Sequence, residues 1–92
     1  MKLIVHLYIN CDTPGNKHVY ATVSKQYETN LVPMVGMHIE DSGWKNPRPI
    51  KSVMINPNEG YYYVFVGEDE GNDEDRCEKI TQMYLSQGWT KP

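Results

Sequence analysis

Leu3, Val5, Leu7 and Ile9 alternate with Ile4, His6, Tyr8 and Asn10, a period of two that predicts a strand from Lys2 to Asn10. In Asp12-Thr13-Pro14-Gly15-Asn16 the proline fixes φ and the glycine accepts a positive φ, as a type II turn requires. A second alternation, His18 to Tyr27, assigns Val19, Ala21 and Val23 to the inward face and Tyr20, Thr22, Ser24 and Gln26 to the outward one. The two strands make a hairpin. Glu28 to Leu31 then connect to Val32–Ile39, which begins as an edge or bend because Pro33 has no N–H to donate. Gly36 reads as a bulge or close backbone approach before a short strand ending at Ile39, and Glu40 to Pro49 form a loop. A fourth strand covers Ile50 to Asn56, Pro57-Asn58-Glu59-Gly60 turn the chain, and a fifth covers Tyr61 to Val66. Its two sets, Tyr61, Tyr63, Phe65 and Tyr62, Val64, Val66, are both apolar, which predicts a central strand.

An acidic linker leads into one helix from about Asp73 to Gln87. Asn72 or Asp73 can cap it, and Asp73, Glu74 and Asp75 suit the positive end of the helix dipole. Cys77, Ile80 and Tyr84, with Met83 beside them, form the expected buried stripe. Gly88 stands where a helix-terminating glycine belongs, and Trp89 is placed to pack back on Tyr84. The whole chain, 1–92, therefore reads as a single small α+β domain. Its expected architecture is a strongly twisted antiparallel sheet of about five strands, curling toward a partial barrel at the Pro33…Gly36 bend, with one C-terminal helix packed on it.

The stretch V-P-M-V-G-M-H-I-E, followed by P-I-K-S-V-M-I-N-P-N-E-G-Y-Y-Y-V-F-V, resembles a pattern in small uncharacterised bacterial and phage proteins. There a V-P-x-V-G turn precedes a pair of strands joined by a short Asn/Asp-Pro-type turn. The resemblance spans residues 32–66, about a third of the chain, and implies a curled β-sheet without assigning an activity. Many such proteins carry Asp or Glu after the glycine, where this chain has Met37, so no role of that acid carries over.

Charge changes the picture. Seven of the twelve carboxylates lie in Glu68–Glu78 with one Arg, a net −6, while the other 81 residues carry a net +3. A mildly basic body thus bears one dense acidic patch, which steers partners without dictating the fold. Two cysteines, Cys11 and Cys77, are too few for a disulfide framework and read as free thiols in a reducing cytosol, a single Cys11–Cys77 bridge being the alternative. The N-terminal apolar run is broken by His6 and ends at Asn10, unlike a signal peptide, and no segment is long enough to span a membrane. The expected location is cytoplasmic.

Glu68, Asp69, Glu70, Asp73, Glu74 and Asp75 are the candidate partner-binding residues: closely spaced carboxylates approach the charge density of a nucleic-acid backbone and suit a Lys/Arg-rich surface. A solvated loop with helix-capping acids is the plainer reading. A calcium loop is excluded, since setting Gly71 at the EF-hand glycine puts Val66 at the first ligand position and Cys77 where Glu is required. Tyr61, Tyr63 and Phe65 could stack nucleobases, although core tyrosines explain the run more simply. Trp44, Lys45, Arg48 and Lys51 form a secondary basic and aromatic surface. His6, His18, His38 and the cysteines show no metal spacing, and acids around Cys77 suppress its thiolate. No phosphate loop or nucleophile elbow is present, so no enzyme, cofactor or metal is expected. The expected function is a non-enzymatic protein-interaction domain with a basic protein partner, in the style of a phage inhibitor of nucleic-acid-binding complexes (anti-CRISPR or anti-restriction). The alternatives are a nucleic-acid-binding module using the Trp44 loop and aromatic strand, and a structural subunit assembling through a strand edge near Met34–Ile39.

Overall fold

The computed structural model describes all 92 residues. The strands are β1 (Lys2–Thr13), β2 (Asn16–Glu28), β3 (His38–Ile39), β4 (Arg48–Pro49, within the segment expected to be loop), β5 (Ser52–Asn56) and β6 (Tyr61–Gly71), followed by helix α1 (Glu74–Ser86). Four strands form one open sheet in the order β2-β1-β6-β5, and β3 pairs with β4 in a second, small one. The α+β class and the C-terminal helix on a sheet are as the sequence predicts. The sheet, however, is mixed. β1–β2 and β5–β6 are antiparallel hairpins, but the central pair β1–β6 runs parallel.

Val5, Leu7, Ile9 and Cys11 of β1, Ala21 and Val23 of β2, and Val64 and Val66 of β6 line the covered face. Against them lie Cys77 and Tyr84 of α1, together with Trp89 and Ile50. Burying an aromatic or aliphatic side chain of this size contributes on the order of 2 kcal/mol, so this layer holds the helix to the sheet. The buried helical set is Cys77, Thr81 and Tyr84; Ile80 is only partly buried and Met83 is exposed, a rotation from the expected stripe. Thr81 is tolerated inside because its hydroxyl donates to the Cys77 carbonyl at 2.8 Å. Asp73 caps the helix by accepting from the Arg76 N–H at 2.8 Å. At the other end Gly88, at φ +90°, and Trp89 donate to the carbonyls of Leu85 and Tyr84, which turns Trp89 back edge-on against the Tyr84 ring, 5.2 Å between centroids.

Two bulges break the simple alternation. Tyr20 is the extra residue of β2 where the register shifts between Ile9 and Asn10. It therefore turns toward α1, where its hydroxyl donates to Glu78 at 2.6 Å, while Val19 is left 55% exposed. Both assignments reverse the expected faces, because one inserted residue flips every side chain beyond it. The segment Met34–Met37 is a turn, not a strand, closed by Met37 N–H on the Met34 carbonyl at 3.1 Å. Pro33 is buried there, while Leu31, Val32, Met34, Val35 and Met37 are exposed.

Candidate functional site

α1, β3, β4 and the Trp89 tail all lie on one side of the sheet. The opposite side carries Ile4, His6, Tyr8 and Asn10 from β1 beside Tyr61, Tyr63 and Phe65 from β6, and no element covers it. The rings form one stripe. His6 stacks on Tyr63 with centroids 4.0 Å apart and planes 9° from parallel, Phe65 lies 5.2 Å from His6, and Tyr8 lies 5.1 Å from Phe65. The aromatic residues of β6 are thus half-buried against one another instead of under the helix, contrary to the core reading. His6 is nearly buried among them, and that burial lowers its pKa, which favours the neutral ring.

Gly67 decides where the acids point. β6 does not stop at Val66: it continues through Glu68-Asp69-Glu70 to Gly71, pairing Glu68 with Tyr8 and Glu70 with Asn10. Between Phe65 and Glu68 the strand carries a bulge, with Gly67 at φ +110°, a value side-chain-bearing residues rarely adopt. The extra residue sends Glu68 and Glu70 to the aromatic face and Asp69 to the helix face. Glu68 accepts from Asn10 Nδ2 at 2.8 Å, and Glu70 pairs with Lys17 at 2.7 Å. That bond with Glu70, with added attraction from Asp12 and Glu68, raises the Lys17 pKa. Three carboxylates around one ammonium leave this end of the stripe with a net −2.

The six predicted acids are therefore not one surface. Asp69 is drawn inside, ion-paired with Arg48 and accepting from the Tyr84 hydroxyl. Burial and that carboxylate push the Tyr84 pKa upward. Asp73 is used as the helix cap, whereas Glu74 and Asp75 are exposed on the first turn, Asp75 paired with Lys79 at 3.2 Å. The secondary surface is likewise divided. Trp44 Nε1 donates to the Tyr84 hydroxyl at 3.0 Å, and the Arg48 guanidinium sits 5.0 Å from the Trp44 ring centre, so both serve the fold. Lys45 and Lys51 are exposed.

Asp41, which sequence reasoning passes over, fastens the long loop. Its carboxylate, 2% exposed, accepts from Lys25 Nζ at 2.7 Å, the Gly43 N–H at 2.8 Å, Trp89 Nε1 at 3.0 Å and the Tyr27 hydroxyl. Burial opposes its ionisation, but these donors outweigh burial and hold its pKa down to about 2. Cys11 and Cys77 are free, buried and adjacent, and burial together with the neighbouring thiol pushes Cys11 up to about 11. Nowhere do three or more His, Cys, Asp or Glu side chains converge as a metal site, and no helix is long and apolar enough to cross a membrane.

No family model, curated protein or solved structure matches the chain.

Proposed function

We propose that this chain is a non-enzymatic interaction domain that binds a basic partner across the uncovered face of its sheet. One observation carries the reading: the stripe of His6, Tyr63, Phe65 and Tyr8 runs directly into Glu68 and Glu70 on that same face. Aromatic faces attract Lys and Arg heads, and carboxylates beside them add charge and hydrogen bonds. A Lys/Arg-rich surface of a cytoplasmic nucleic-acid-binding protein has that chemistry, and occupying it as a phage-type inhibitor would is the form of action we favour. Glu74 and Asp75, exposed on the first turn of α1, extend the negative field. A nucleic-acid ligand suits the geometry less well: with Trp44 and Arg48 turned onto Tyr84 and Asp69, only Lys45 and Lys51 of the predicted basic surface are free to meet phosphates.

Binding to an Arg/Lys-rich peptide array and to oligonucleotides, each at low and at physiological salt, tests this. Retention of basic peptides, weakening steeply as salt rises, is expected. A gel shift with DNA or RNA and no retention of basic peptides removes the reading.

A further inference from the structure

We propose that the Asn10 end of this face is a guanidinium site, formed by Asn10, Glu68 and the ring of Tyr8, that selects arginine over lysine in the partner. This deepens, and rests on, the basic-partner reading. Asn10 is only 6% exposed, and its Oδ1 has no hydrogen-bond partner. The orientation of the amide is set by its neighbour: Nδ2 donates to Glu68, and a carboxylate can only accept, so the orphaned atom is the carbonyl oxygen. A buried acceptor left without a donor is costly, so an orphan on a face already rich in carboxylate points to a donor arriving from outside.

The requirements of the site are all of one kind. Asn10 Oδ1 accepts, the Glu68 carboxylate accepts, and Tyr8, paired in register with Glu68 and two residues from Asn10 on the same face, offers a flat ring. A planar cation with several donors in a fixed fork meets all of these at once, whereas an ammonium supplies charge without a plane to stack. Tyr8 stands between His6 and Asn10 on the same side of β1 and is half-exposed, so its ring is the part that swings to admit the guest. His6 Nδ1 is a second orphaned polar atom, but four residues of extended strand, roughly 13 Å, put it and the Phe65 paired beside it beyond the same head group.

The test uses three acetylated peptides of one Gly/Ser sequence bearing arginine, lysine or uncharged citrulline at the same positions. Affinity is measured by calorimetry at roughly 50 mM salt, and the Asn10 side-chain amide is followed by NMR. The arginine peptide is expected to bind roughly tenfold tighter than the lysine peptide and to move the Asn10 amide resonances, with citrulline inert. Asn10→Ala and, should that variant unfold, Tyr8→Leu are expected to reduce arginine affinity to the lysine level. Equal affinities for the two cationic peptides, or an arginine preference that survives either folded variant, overturn the guanidinium site and leave the basic-partner reading standing. Failure of both cationic peptides to bind overturns both.

Discussion

Asp41 shows how much one carboxylate can organise. Four donors from β2, the loop and the C-terminal tail converge on it, so removing its charge leaves Lys25 and the Trp89 indole facing a poorer acceptor. Asp41→Asn is expected to lower stability by roughly 2 kcal/mol, read as a fall in the urea midpoint. The pH dependence has a definite sign. The pKa falls from 3.8 in the free side chain to about 2 in the folded protein, so the contribution is complete above the unfolded value and is lost as pH falls toward about 2. Urea midpoints measured downward from about pH 5 should drop in the wild type and flatten in Asp41→Asn, once both are corrected for the remaining carboxylates.

Among the elements, β6 sets the polarity of the molecule. Gly67→Ala forces a side chain into φ +110° and is expected to cost about 1–2 kcal/mol, with loss of basic-partner binding if the bulge slips and exchanges Asp69 for Glu68 on the open face. Gly71 answers to a different constraint: a Cβ there would lie 2.7 Å from Cys77 Sγ and 3.0 Å from the Cys77 backbone nitrogen. Gly71→Ala should therefore lower the thermal midpoint by displacing α1, an effect calorimetry would resolve. Much of this level was legible in the residues. Alternation gives both hairpins, apolarity on both faces makes β6 central, and Asp73 and Gly88 mark the helix ends. The strand character of Glu68-Asp69-Glu70 was not legible, since three acids have low strand propensity and the partner residues that order them lie sixty positions earlier. Nor were the bulges, which reverse Val19 against Tyr20 and separate Asp69 from its neighbours. The aromatic set of the site could be read from period two, but which face the helix would cover could not, because both faces of β6 are apolar.

For the molecule as a whole, the separation of acids by face makes binding and stability separable. Glu68→Gln with Glu70→Gln is expected to weaken retention of a basic peptide roughly tenfold while leaving the thermal midpoint nearly unchanged. Asp69→Asn, which removes the charge paired with Arg48 and leaves one amide oxygen where Arg48 and Tyr84 now use two, should lower the midpoint and leave peptide affinity nearly intact in the folded fraction. Pull-down and thermal melts on the same preparations decide this, and identical behaviour of the two variants would contradict the assignment of faces. The parallel pairing of β1 with β6 carries a consequence for how the chain reaches this form. Each hairpin can zip locally, but the seam between them must wait for the last third of the polypeptide and closes a loop of about sixty residues. Assembly should consequently be paced by the collision of two preformed halves, giving a refolding time in the range of milliseconds to seconds, and a ribosome-bound chain ending before Gly71 should expose an unpaired β1 edge to whatever meets it first.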